Sequence, residues 1–363
     1  MRTSITSATR NDRAARLAGA SVSQADSRLH KHASNPILRP EPANEWESLV
    51  TCNPGVWLDD NGVFHMLYRA AGNDKDHVIR FGLATSEDGV HFIRVGDQPI
   101  LSPSVDGPDA GCIEDPRIVR LDGHYYVTYA YRAHFPGQYW KQPDNSAFNP
   151  RDASLPPLFG ENLTASGLLV SDDLRTYRRL GRITRPHVDD RDVILFPERI
   201  GDRYAMLHRP MQWVGEEYGT DYPGIWISLS DDLLSWPESR LLARNEFAWE
   251  RKLGGATPPL WTEDGWFTLY HAVDEKGVYR VGAMLLDLES PWKVTARTRE
   301  PIMEPEHDYE WRGLYPHGVV FPTANVVKDG TLYVYYGCSD QTIGVATADF
   351  GSIVASVREQ PWK

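Results

Sequence analysis

The chain has 363 residues, 41% of them hydrophobic, with 38 Lys+Arg against 50 Asp+Glu and a net charge of −12. That balance disfavours nucleic acid or an anionic membrane as a partner, because both reward basic surfaces. No run approaches the roughly 18 consecutive apolar residues of a membrane span.

Residues 1–34 are polar and rich in Ser, Ala and Arg, without the apolar core of a signal peptide. They are expected to form a disordered or helical arm, and such an arm is a candidate for contact between subunits of a homo-oligomer. Residues 35–363 then form one β domain: 12 Trp, 17 Tyr and 11 Phe among 29 Gly and 26 Pro favour short strands and many turns. Three cysteines, Cys52, Cys112 and Cys338, lack metal-type spacing and predict free thiols in a reducing compartment, the cytoplasm.

Five stretches then repeat one strand pattern, a turn followed by alternating aromatic and aliphatic residues: DNGVFHMLYRA (60–70), LDGHYYVTYAYRA (121–133), IGDRYAMLHRP (200–210), TEDGWFTLYHAV (262–273) and VKDGTLYVYYGC (327–338). After each comes a second strand leading into an acidic turn: GLATSEDGVHF (82–92), GLLVSDDLRTY (167–177), WISLSDDLLSW (226–236), GAMLLDLESPW (282–292) and GVATADFGSIV (344–354). Period-2 alternation in a fixed repeat of four-strand size predicts an all-β, five-bladed β-propeller with an N-terminal extension. The irregular stretch 133–163 reads as a long loop.

In a small propeller the inner strands surround the axis and their ends line a pocket at one face. Three groups of residues fall at such ends. Glu114-Asp115-Pro116-Arg117 opens the second repeat, and Pro116 is expected to hold Asp115 extended, away from helix. Arg191, Arg209, Lys252 and His271 form a basic set suited to a dianion such as phosphate, with arginine offering a forked geometry. Asn53, Arg69, Asp274 and Asp340 are candidates for sugar hydroxyls. Arg132 lies about two residues out of register with the other strand-end cations and has no assigned role.

On ASNPIL, NPGVWLDDNGVFHMLYRA, EDPRIV, DVILFPERI, MLHRP, KLGGATPPL, GWFTLYHAV and VYYGCSDQTIGVATAD, in that order, residues 35–350 resemble glycoside hydrolase family 130, the β-mannoside phosphorylases and related β-mannosidases. The resemblance implies inverting phosphorolysis of a terminal β-mannoside, giving α-mannose 1-phosphate and a shortened acceptor. Its acid is the Asp of EDPR, here Asp115, which in the family acts through the mannosyl 3-hydroxyl. The phosphate ligands map to Arg191, Arg209, Lys252 and His271. The mannose contacts map to Asn53, Arg69, Asp274 and Asp340, with Glu114 and Arg117 beside the acid as further substrate-binding candidates.

A phosphorylase needs no base, because phosphate arrives as an anionic nucleophile that cations hold in line. The resemblance further implies that hydrolytic members lack part of the basic set and offer a glutamate; here all four basic positions are filled. The expected substrates are a β-mannoside oligosaccharide and inorganic phosphate, with no cofactor and no metal. Glu114, Glu161 and Glu198 keep an inverting β-mannosidase as the second reading, and a non-catalytic sugar-binding propeller as the third. Acceptor and linkage, β-1,4 or β-1,2, stay open at this stage.

Overall fold

The computed structural model describes residues 28–141 and 162–362. The expected N-terminal arm, apart from 28–34, and most of the 133–163 loop, with Glu161, lie outside them. Strand β1 (His30–Lys31) comes first in the chain but belongs to the last sheet. Blade one is β2 (Val50–Leu58), β3 (Phe64–Ala71), β4 (Arg80–Ser86) and β5 (Ile93–Arg94). Blade two is β6 (Cys112–Leu121), β7 (His124–Arg132), β8 (Ala165–Ser171) and β9 (Arg178–Arg182). Blade three is β10 (Asp190–Leu195), β11 (Tyr204–Pro210), β12 (Ile225–Ser230) and β13 (Glu238–Ala243).

Blade four contains β14 (Lys252–Gly255), β15 (Leu260–Thr262), β16 (Gly265–Val273), β17 (Tyr279–Leu286) and β18 (Val294–Arg297), with β14 and β15 both paired to β16. Blade five is β19 (Val320–Lys328), β20 (Thr331–Cys338) and β21 (Thr342–Asp349), completed by β1. The expected five-bladed propeller is the observed fold. Its ring is closed by pairing of His30 with Thr347 and Lys31 with Ala346, so residues ahead of the expected boundary at 35 take part in the last blade.

One device holds four of the blades. A buried carboxylate ahead of the inner strand accepts from a tyrosine on the second strand and from a cation on the outer strand. In blade one, Glu47 Oε2 accepts from Tyr68 Oη (3.0 Å) and Arg94 Nε (2.8 Å). Blade two uses Asp109 with Tyr129 and Arg179, blade four Glu250 with Tyr270 and Arg297, and blade five Glu310 with Tyr336 and Lys31.

Each tyrosine lies opposite a glycine on the third strand: Gly82, Gly167, Gly282 and Gly344. A Cβ there would run into the phenol ring, so the glycine is what lets the tyrosine fold across the sheet. Blade three departs from this: His208 replaces the tyrosine, Trp226 the glycine, and the chain of bonds runs Asp190–His208–Ser228–Ser239, with no Lys or Arg in it among the described residues.

The acidic turns after the third strands cap loop amides. Asp88, Asp173, Asp232 and Asp287 each accept two backbone N–H groups two and three residues on. In blade five the equivalent Asp349 instead caps a helix, Phe350–Arg358, by accepting from Ser352 N at 2.8 Å. The segment 344–354, expected as strand and turn, is therefore strand and helix. Phe350, Ile353, Val354 and Val357 bury the helix's apolar face against blades four and five, which the 3.6-residue spacing allows. Among the described residues no helix is long and apolar enough to cross a membrane.

Candidate active site

Where β2, β6 and β10 reach the axis, each is bulged: between Cys52 and Gly55, Glu114 and Arg117, and Arg191 and Ile194. In every bulge one residue has left-handed backbone, Asn53 (φ 44°), Asp115 (φ 56°) and Asp192 (φ 54°). Asn and Asp tolerate that region better than other side-chain-bearing residues, and the extra residue re-aims the side chain. The result is three polar groups from three blades lining one cavity. Asp115 is thus not extended, as the following proline suggested; Pro116 excludes right-handed helix, and the bulge selects the left-handed alternative.

One wall carries the carboxylates. Asp115 Oδ1 accepts from Asn53 Nδ2 (2.8 Å) and Arg69 Nη1 (3.2 Å). Glu114 Oε2 lies 3.2 Å from the same Arg69 nitrogen, and Glu114 Oε1 lies 3.5 Å from Arg132 Nε. The two neighbours are driven apart in acidity. Burial raises Asp115 from its ordinary value; the attraction of Arg69 opposes this, and the repulsion of Glu114 adds to it. Burial would raise Glu114 as well, but Arg69, Arg132 and Arg191 together outweigh it and hold Glu114 low. Asp340, also on the lining, is raised by burial and accepts from Tyr139 Oη at 3.3 Å. Asn53 Oδ1 and Arg69 Nε are buried without a hydrogen-bond partner among the described residues.

The opposite wall is basic. Arg191, Arg209 and Lys252 line it from blades three and four. Asp189 clasps Arg191 with two bonds of 2.6 Å. Asp192 Oδ2 takes Arg209 Nε at 2.7 Å, and Asp192 Oδ1 lies 3.4 Å from Arg117 Nη2. Lys252 Nζ donates to Tyr279 Oη at 3.2 Å and has no carboxylate within 4.0 Å among the described residues. Lost hydration, then repulsion from Arg209 and Arg191, pushes its ammonium down to about 7. Gly254 sits beneath this wall because a side chain there would collide with Asp192 and His271.

Three expected site residues stand off the lining. His271 is fully buried behind it, with Nε2 3.4 Å from Asp192 Oδ2, outside hydrogen-bond geometry; burial pulls its imidazole down to about 3, so it is neutral. Arg117 lies under the floor, donating to the carbonyls of Ala256 and Asp115. Asp274 caps its own turn through the amides of Lys276 and Val278 and pairs with Arg280 at 2.7 Å. Glu198 follows the far end of β10 and is not on the lining.

Sequence reasoning passed over Asp189 and Asp192, the counter-charges of the basic wall, and the aromatic lining of Tyr279, Tyr315 and Phe321; Tyr139, legible only as part of the 133–163 loop, also lines the cavity. The signal for Asp192 was its place in the third repeat, matching Asn53 and Asp115 in the first two.

The model of glycoside hydrolase family 130, described as beta-1,4-mannooligosaccharide phosphorylase, matches residues 21–146 and 161–359. A 1,2-beta-oligomannan phosphorylase of Thermoanaerobacter sp. (strain X514) is 38% identical over 333 residues, 90% of this chain and 99% of its own length. A beta-1,2-mannobiose phosphorylase of the same organism is 36% identical over 335 residues, 89% of this chain and 97% of that one. Among solved structures, the beta-1,2-mannobiose phosphorylase of Listeria innocua in complex with beta-1,2-mannobiose superposes with a TM-score of 0.72 at 25% identity, covering 92% of this chain and 99% of that one. The chain belongs to glycoside hydrolase family 130.

Proposed function

We infer that the protein is an inverting β-mannoside phosphorylase, a hexosyltransferase that cleaves a terminal β-mannosyl linkage with inorganic phosphate to give α-mannose 1-phosphate and a shortened acceptor. The observation that carries this reading is one cavity with a raised-pKa carboxyl on one wall and three cations on the other. Asp115 is the acid, and its proton reaches the leaving oxygen by way of the mannosyl 3-hydroxyl, as the family resemblance implies. Arg191, Arg209 and Lys252 receive the phosphate, with His271 packed behind them beside Asp192. Asn53, Arg69 and Asp340 take the mannosyl hydroxyls, and Glu114 and Arg117 fix the acid's surroundings. Asp274 acts from outside the lining, through the turn that carries Lys276 and Val278.

The similarity to two β-1,2-acting Thermoanaerobacter enzymes supports a β-1,2 linkage. Three buried free thiols support a reducing, cytoplasmic setting. Hydrolysis is not favoured. An inverting hydrolase needs a second carboxylate free to activate water, whereas Glu114 is held between two arginines. The reading calls for phosphate as co-substrate and for no cofactor.

The test is incubation of β-1,2-mannobiose with the enzyme, with and without phosphate, while mannose 1-phosphate is assayed. Formation of mannose 1-phosphate that requires phosphate is expected. Release of mannose at the same rate without phosphate would overturn the reading.

A further inference from the structure

The connections between second and third strands open on the pocket face, and their lengths are unequal. They run 72–79 in blade one, 133–164 in blade two, 211–224 in blade three, 274–278 in blade four and 339–341 in blade five. The long connection of blade two begins by leaning over blade one. Gly137 N donates to Asp76 O at 3.0 Å, and Gln138 Nε2 donates to Asp74 O at 3.0 Å. His77 of blade one packs edge-on against Tyr139 (5.8 Å between ring centres) and Trp140 (4.6 Å).

This anchoring carries Tyr139 past blade one to blade five. There its hydroxyl meets Asp340 on the short 339–341 turn, in left-handed backbone with φ 55°. Tyr139 is 3% exposed and lines the cavity together with Asp340 and Asn53. Backbone bonds hold the turn itself, from Tyr315 N to Ser339 O and from Thr51 N to Gln341 O, but they do not reach the Asp340 carboxylate. The bond from Tyr139 does so from across the pocket, and it leaves Asp340 Oδ1 for another partner.

We propose that Tyr139 is a positioning residue of the sugar pocket: it orients Asp340 toward the hydroxyls of the bound mannosyl unit and closes the pocket between blades one and five. The proposal rests on the phosphorylase reading and on Asp340 as a sugar contact. It makes the first turn of blade two's long connection part of the machinery, and it assigns to that turn the glycone and not the phosphate.

The test is Tyr139→Phe, which keeps the ring against His77 and Trp140 and removes only the hydroxyl. In the wild type, phosphate-dependent cleavage of β-1,2-mannobiose checks the underlying reading by itself. In Y139F, kcat/KM for β-1,2-mannobiose, and for mannose 1-phosphate in the synthetic direction, falls about three- to tenfold, a fraction of the worth of one hydrogen bond to a carboxylate. KM for phosphate stays within about twofold. Because Tyr139 acts through Asp340, adding Y139F to Asp340→Asn changes the sugar constants little further. Unchanged sugar constants in Y139F, sugar and phosphate KM rising together, or full additivity with D340N would each overturn the proposal.

Discussion

Replacing Lys252 with Ala tests the basic wall most directly. Its ammonium faces Arg191 and Arg209 with no carboxylate beside it among the described residues, and it donates to Tyr279 Oη. A phosphate dianion at about 4 Å, in an effective dielectric near 20, attracts a unit charge by roughly 4 kcal/mol per negative charge. Desolvation of both groups consumes part of that, and about 1.5–3 kcal/mol is the usual net worth of a charged hydrogen bond. At about 1.4 kcal/mol per decade, Lys252→Ala raises KM for phosphate about 10- to 150-fold while KM for the mannoside moves less than about twofold. Initial rates over a grid of phosphate and mannobiose concentrations separate the two constants. Equal increases in both, or none in phosphate, would remove Lys252 from the anion site.

The pH dependence of the same residue has two opposite signs. Since the ammonium is pulled from 10.5 down to about 7, the phosphate-free enzyme loses this cation as pH rises through 7, and wild-type phosphate affinity falls relative to K252A. For the fold the unfolded chain binds more protons than the native one between about 7 and 10.5, so Lys252's contribution to stability rises across that window. Below pH 7 it is a standing cost, and K252A melts higher than wild type there without phosphate.

Two further outcomes follow from single contacts. Asp115→Asn keeps the side-chain volume but removes the acid; kcat for phosphorolysis falls by about 10²–10⁴, while calorimetry still detects β-1,2-mannobiose binding. An unchanged rate would take Asp115 out of the mechanism. Arg297→Met strands Glu250, which is fully buried and accepts from Arg297 Nη2 at 2.7 Å. Breaking such a buried pair costs about 3–5 kcal/mol, read as a lower urea midpoint, and a loss under about 1 kcal/mol would mean that the clamp is ornamental.

The repeat that made the propeller legible is also what the clamps require. A tyrosine near the end of each second strand and a glycine opening the third were visible as YRA…GLA, YAYRA…GLL, LYHAV…GAM and VYYGC…GVA. Their carboxylate partners were harder to see: Glu47, Asp109 and Glu250 stand 21, 20 and 20 residues ahead of their tyrosines but Glu310 stands 26 ahead, and all four lie before the inner strands, outside the alternating pattern. Strand β1 escaped for a similar reason: two residues show no alternation, and their partner strand lies at the other end of the chain. Within the site, side chains on strand ends were readable, whereas orientation was not. Asp274 occupies a strand end like the others, but its turn amides and Arg280 claim it. Asp192 was overlooked in DDRDVIL because three aspartates in four residues look alike until a bulge singles one out.

Glu114 and Asp115 together set where the acid titrates. Adjacent carboxyls pushed in opposite directions divide the labour: burial and the neighbouring charge favour the proton on Asp115, and the arginines favour the charge on Glu114. Glu114's charge is itself one cause of Asp115's high pKa, and Glu114 shares Arg69 Nη1 with Asp115. Glu114→Gln therefore acts twice in one direction. It removes the repulsion, and it leaves Arg69 to Asp115 alone; both favour ionised Asp115. Catalysis needs Asp115 protonated, so activity fades as pH rises through its folded pKa, and E114Q moves that alkaline limb to lower pH. The measurement is kcat against pH with phosphate saturating, which reports the loaded complex. There the bound anion lifts Lys252 out of the range, so the limb belongs to the acid. A limb that stays in place or moves to higher pH would mean that Glu114 does not set the proton on Asp115. The arginines around it would then serve the sugar alone.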